Sequence, residues 1–72
     1  MKKQPLKLYD IVALLKDFPE KKVVFGQVGT VVEMLKDDFF EIEFSDKFGE
    51  TIAEFAVTAD ELMLLHYNVE VA

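Results

Sequence analysis

The sequence predicts a small all-β domain, a five-stranded barrel with one short helical or 3-10 turn before its last strand. Three observations predict it. Two glycines three residues apart, Gly26 and Gly29, open a β-branched stretch that ends near Glu33. Residues 40–44 alternate apolar and acidic side chains, the pattern of a half-buried strand. The chain has 72 residues, which is one domain with a small core.

Residues 8–15 are expected to form the first strand. Their apolar run is nearly continuous, so periodicity alone does not separate a strand from a buried helix. The β-branched pair Ile11 and Val12 and the breakers that follow favour a strand. Residues 16–22 form a loop, because Pro19 favours an extended conformation for Phe18. Residues 1–7 are predicted to be a flexible lead-in and residues 67–72 a tail.

The glycine pair is expected to have a structural role at a turn. Gly26 and Gly29 supply either a positive φ or a tight backbone approach where the chain enters the second strand. They do not form a phosphate loop, which needs a further glycine and a Lys-Ser/Thr pair and is followed by a helix.

The sequence does not decide the register between the second and third strands. An even-length loop after the second strand places Glu33 opposite Ile42, whereas a three-residue loop places it opposite Glu41. Like charges directly opposite each other are unfavourable. A bulge in the second strand would let Val31 and Met34 both point inward and would bend the strand as barrel closure requires. We favour the bulge.

The second half of the chain has clear turn signals. In the loop 45–50, Asp46 is suited to bond its own backbone and Gly49 to the left-handed position. Residues 51–57 are the fourth strand. Thr58 and Glu61 have the spacing of a capping box, which begins a single helical or 3-10 turn. Residues 62–66 are the closing strand.

Charge and composition restrict the classes of partner that we expect the chain to bind. The net charge is −6, with eight lysines, no arginine and fourteen acidic residues. Proteins that bind nucleic acid or anionic membranes use Lys and Arg to neutralise phosphates, so this balance argues against both and permits a basic protein partner. The chain has no cysteine and its first residues lack a signal-peptide pattern. We expect a cytoplasmic protein.

No residue pattern predicts chemistry. His66 is the single histidine and has no evident nucleophile as a partner. The acidic loops lack the ligand spacing of a calcium site. We therefore expect no enzyme activity, no cofactor and no metal site.

The candidate partner-binding residues are acidic or aromatic. Glutamates of neighbouring strands are expected to share the outer sheet surface, either as a plain solvated face or as a face that attracts a basic partner. Aromatic residues in the loops either fill the barrel ends or form a binding hot spot. The partner-binding candidates are Glu33, Glu41, Glu43, Phe18 and Phe48, and Glu54 is a further member of the same surface.

Several segments resemble a small bacterial family known only as a domain of unknown function. Its members read Gly-x-Val-Gly-Thr-Val-Val, which matches Gly26 to Val32 here. The other matching segments are residues 10–14, 41–46, 49–51 and 62–65. The glycine-led strand is also similar, more distantly, to KOW-type modules. These resemblances imply an SH3-like barrel, and the KOW likeness adds binding to RNA or to ribosomal and transcription proteins.

The leading hypothesis is a non-enzymatic protein-interaction module that docks through an apolar patch rimmed by Glu33, Glu41 and Glu43. Its partner is either a second copy, giving a homo-oligomer, or a basic protein, as for an immunity or antitoxin-like partner. The alternative is a KOW-like nucleic-acid or ribonucleoprotein accessory protein. That alternative uses Lys16, Lys21, Lys22 and Lys47.

Overall fold

A computed structural model describes residues 5–66 and shows an all-β domain. The strands are β1 (Ile11–Leu14), β2 (Val28–Met34), β3 (Phe39–Ser45), β4 (Thr51–Thr58) and β5 (Leu62–Leu64). They form one antiparallel sheet in the order β4-β3-β2-β1-β5. Single 3-10 turns lie at Pro19–Lys21 and Ala59–Glu61. The predicted all-β class, the five strands and the short turn before the last strand are confirmed.

The connection between the two edge strands forces the sheet to bend. In a flat five-stranded sheet, β4 and β5 would lie at least about 19 Å apart, four spacings of about 4.8 Å. The path from Thr58 to Leu62 has only four residue steps, which reach at most about 14 Å. The sheet therefore curls, and we call its inner side the concave face and its outer side the convex face.

The core fills the concave face with apolar side chains from all five strands. Seven large side chains are fully buried: Phe44, Leu14, Ile42, Val12, Val23, Val31 and Val57. Within residues 5–66 no polar or charged residue is buried. Leu6 also belongs to the core cluster, so the described part of the expected lead-in contributes to the fold. Residues 1–4 and the predicted tail 67–72 lie outside the described residues.

Each glycine of the first pair has one of the two predicted roles. Gly26 has a φ of +88°, which residues other than glycine rarely adopt. Gly29 is the close approach: a Cβ atom there would lie 2.7 Å from Ile42 Cγ2 and 2.8 Å from Phe44 Cδ1. The absence of a side chain at Gly29 therefore lets the side chains of Ile42 and Phe44 lie against the backbone of β2.

The bulge predicted in β2 is present. The β2–β3 register shifts between Val31, which pairs with Ile42, and Glu33, which pairs with Glu41. Val31 is fully buried as expected. Met34 pairs with the core residue Phe40 and so points to the same side of the sheet, as expected, but it is 47% exposed. It is the last residue of β2 and lies at the rim of the sheet, where the core ends.

The first and last strands are shorter than predicted. β1 begins only at Ile11, because the preceding residues form a turn in which Tyr9 has a φ of +71°. In that turn the Asp10 carboxylate accepts the Lys7 N–H at 2.8 Å, and the Asp10 N–H donates to the Lys7 carbonyl at 3.1 Å. Such local bonds compete with strand pairing. β5 ends at Leu64 instead of His66.

The predicted turn chemistry is confirmed in the second half of the chain. The Asp46 carboxylate accepts the N–H groups of Phe48 at 2.8 Å and Glu50 at 3.0 Å, and Gly49 has a φ of +83°. Before β5, Glu61 Oε1 accepts from the N–H of Thr58 at 3.2 Å and from its hydroxyl at 3.1 Å. These bonds hold the turn that joins the two edges of the sheet.

Candidate protein-interaction face

The convex face can be mapped from the strand pairing, because residues directly opposite each other point to the same side of a sheet. Three rows of side chains cross this face. One row is Met63, Ala13 and Val28, the second is Ile11, Thr30, Glu43 and Glu54, and the third is Glu33, Glu41 and Ala56. The face is thus apolar at β5 and β1 and acidic at β3 and β4.

Four glutamates form what we call the acidic cluster: Glu33, Glu41, Glu43 and Glu54. Glu33 lies opposite Glu41, and Glu43 lies opposite Glu54. Within residues 5–66, no lysine lies within 4.0 Å of any of these carboxylates. The hydroxyl of Thr51 donates a hydrogen bond to Glu43. The cluster therefore holds its negative charge without an internal counter-charge from the described chain.

The crowding changes the ionisation of the central glutamate. The pKa of Glu41 is raised, first by partial burial, then by a hydrogen bond with Glu54 and by the charges of Glu54 and Glu33. A negative charge on Glu41 is therefore less favourable in the folded domain than on a free glutamate side chain.

Beside the acidic cluster lies what we call the apolar row: Val28, Ala13 and Met63. Val28 is 46% exposed and Met63 is 48% exposed, whereas Ala13 between them is only 5% exposed. Sequence reasoning did not select these residues for binding. The sequence did contain a signal, however. The apolar run of the first strand is nearly continuous, which is typical of a strand that is covered on both faces.

The two predicted aromatic candidates lie elsewhere. Phe18 is half-buried, with its ring centroid 5.1 Å from that of Phe55, and it packs against the core. Phe48 is 79% exposed at the loop between β3 and β4. The structure therefore brings together Glu33, Glu41 and Glu43, but it joins neither aromatic side chain to them.

The lysines of the nucleic-acid alternative are spread over two loops. Lys16 Nζ lies 3.3 Å from Glu61 Oε2 and 5.0 Å from the centroid of Phe18. Lys21 lies over the ring of Phe55 at 5.4 Å. Lys47 belongs to the separate loop between β3 and β4, where it lies 5.4 Å from the Phe48 centroid. One of these charges is thus already compensated within the chain.

The described part of the chain contains no group of three or more His, Cys, Asp or Glu side chains arranged to hold a metal ion. In the same residues no helix has the length and apolar character needed to cross a bilayer.

Comparison with known proteins places the chain in a family. Residues 8–64 match the model of the domain of unknown function DUF4926. The chain belongs to this family. The match spans all five strands of the DUF4926 domain, and with them the acidic cluster and the apolar row. No curated protein matches the chain, and no solved structure does so. The expected membership in a family of unknown function is confirmed.

Proposed function

We propose that this DUF4926 domain is a non-catalytic interaction module that binds a basic protein through its convex face. The observation that carries this proposal is the acidic cluster, in which two pairs of glutamates face each other across adjacent strands. Like charges in this position are unfavourable for the free domain. A cationic partner would turn that repulsion into attraction.

The raised pKa of Glu41 supports the same proposal. A Lys or Arg side chain next to Glu41 would favour its charged form and so counteract the causes that raise its pKa. A field of one sign also steers an oppositely charged partner and increases its association rate. The acidic cluster thereby orients the partner and increases its rate of association.

The apolar row supplies the other requirement of an interface. Stable interfaces have an apolar centre with a polar rim, and the row runs from Val28, diagonal to Glu43, across Ala13 to Met63 on the same face. The partner that fits has an apolar patch flanked by Lys or Arg. A basic toxin-like protein held by an immunity or antitoxin-like partner has this chemistry.

The proposal is tested with two variants of equal charge change. One is the triple variant Glu33→Gln, Glu41→Gln and Glu43→Gln, in the acidic cluster. The control is Glu20→Gln, Asp37→Asn and Glu50→Gln, which lie in loops and turns. Each tagged protein captures partners from its native lysate with and without nuclease, and the captured proteins are quantified by mass spectrometry.

We expect a basic protein that is retained by the wild type and by the control after nuclease treatment but is lost with the triple variant. Its affinity, measured with purified proteins, should fall as salt increases. Equal retention by the triple variant would refute the acidic face as the binding site. Capture that disappears with nuclease would instead support the KOW-like alternative, and sedimentation of the purified chain tests self-association.

A further inference from the structure

The edge strand β4 has a side that no strand of the described residues covers. It has eight residues, pairs with β3 along one side, and forms one outer edge of the sheet. Within residues 5–66 no backbone group bonds to its other side between Thr51 and Val57. Exposed edge strands are templates for pairing with another extended chain.

The hydrogen-bond pattern shows which groups are open. The Ala59 N–H donates to the Asp38 carbonyl at 3.0 Å, and the Leu35 N–H donates to the Phe39 carbonyl at 2.9 Å. Bonds alternate along an antiparallel pair, so Phe55 and Val57 bond to β3. The intervening residues, Glu54 and Ala56, direct their N–H and C=O groups away from it.

The same residues present their side chains on the convex face. Glu54 stands at the open edge, directly beside Glu43 and diagonal to Glu41. Any strand added here would place alternate side chains next to the acidic cluster. A second copy of this chain paired through β4 would extend the sheet with its own convex face on the same side, bringing two acidic clusters together. That repulsion disfavours self-pairing.

We propose that β4 binds an extended segment of the partner by antiparallel strand addition, and that this segment has Lys or Arg at alternate positions. The main-chain bonds to Glu54 and Ala56 supply affinity, and the cations beside Glu54 supply selectivity. This inference rests on the proposed function, since it concerns the same acidic cluster. It adds the conformation and the residue pattern of the bound segment.

The test of strand addition compares synthetic peptides on the unmodified domain, so it does not depend on the folding of a variant. The probe is a capped heptapeptide that alternates lysine and valine and begins with lysine. In antiparallel addition the residue opposite Glu54 shares its face and bonds to its backbone, so the lysines provide the bonding N–H groups. One derivative is N-methylated at the two inner lysines and the control derivative at two valines, with no change in charge.

Affinities are measured by titration calorimetry on the intact chain. We expect the lysine-methylated peptide to bind at least about tenfold more weakly than the parent, as loss of two or more hydrogen bonds implies, and the valine-methylated peptide to bind like the parent. No binding of the parent, or equal affinities of all three peptides, would overturn strand addition. Equal weakening by both methylation patterns would overturn it as well.

The same titrations separate this inference from the proposed function. If all three peptides bind alike and the triple glutamate variant weakens all of them equally, the acidic face binds cations but the edge does not pair. If the captured basic partner binds the triple variant as tightly as the wild type, the proposed function itself fails. The two failures therefore have different signatures.

Discussion

The concave and convex faces of the bent sheet differ in the side chains that they present. On the concave face every large side chain of the core is apolar, and Phe44, Ile42 and Val31 are fully buried. On the convex face of the same strands, Glu33 faces Glu41 and Glu43 faces Glu54. Along these strands, the residues that point to the concave face thus pack in the core. The residues between them place like charges next to each other on the convex face.

This difference separates stability from function. Burial on the concave face is the main stabilising contribution to a domain of this size. The acidic cluster contributes repulsion, and the described residues give it no lysine partner. Changes on the concave face should therefore lower stability strongly, whereas changes in the acidic cluster should leave it nearly unchanged or raise it. The following experiments test that contrast, beginning with the largest expected effect.

Phe44→Ala should lower the free energy of unfolding by about 3–5 kcal/mol, because it removes the largest fully buried side chain. Its matched control is Phe48→Ala, which truncates the same residue type at a position that is 79% exposed. The control should change stability by less than about 0.5 kcal/mol. Urea denaturation measures both. Similar losses for the two variants would contradict the assignment of the core to the concave face.

Gly29→Ala should cost about 1–3 kcal/mol, because the new Cβ atom would meet Ile42 and Phe44 at 2.7–2.8 Å. Gly26→Ala meets no atom within 4 Å, and its cost of about 1–2 kcal/mol comes from the positive φ alone. In a Phe44→Leu background the cost at Gly29 should shrink and the cost at Gly26 should not. Additive behaviour at Gly29 would show that contact with the Phe44 ring is not the cause.

Glu61→Gln should destabilise the turn between the sheet edges by about 1 kcal/mol at pH 7. Partial burial acts to raise the pKa of Glu61, but hydrogen bonds from Thr58 and the Lys16 ammonium outweigh it, and the net pKa is lowered from 4.5. Its contribution is therefore present above pH 4.5 and is lost as the pH falls through the lowered folded-state value. Urea titrations at pH 7 and pH 3 should show the difference from wild type shrinking. A constant difference would refute this linkage.

Glu41→Gln should raise stability by a few tenths of a kcal/mol at pH 7, because it removes like-charge repulsion. The folded-state pKa of Glu41 is raised above 4.5, so wild-type stability is lost as the pH rises from 4.5 through that raised value. The advantage of the variant should therefore disappear below pH 4.5. Thermal unfolding at pH 7 and pH 4 measures it, with Glu20→Gln as the control. Destabilisation at pH 7 would contradict the charge crowding.

Much of the fold was predictable because its signals are local. The alternation of residues 40–44 indicates β3, and the spacing of Thr58 and Glu61 indicates the capping box. Asp46 accepts a hydrogen bond from a residue of its own loop, and the positive φ at Gly26 depends on the glycine itself. Each of these features depends on residues a few positions apart, so the sequence contains the whole cause.

The candidate site was predictable only in part. The outward glutamates of β3 follow from alternation, but Phe18 could not be separated from Phe48 by sequence position. Both are loop aromatics, and only the contact of Phe18 with Phe55, a residue far along the chain, buries one of them. The exposed row of Val28 and Met63 likewise depends on which strands become neighbours.

The sequence by itself determined the class of the domain, its turns and the alternation of its central strands, since these depend on local conformational preference and on which residues avoid water. The tertiary structure alone decided that Glu33 lies opposite Glu41, that Glu43 lies opposite Glu54, and that no described residue pairs with the outer side of β4. The physical reason is that pairing between strands and closure of the sheet are long-range choices. Their energies depend on contacts that no local pattern records.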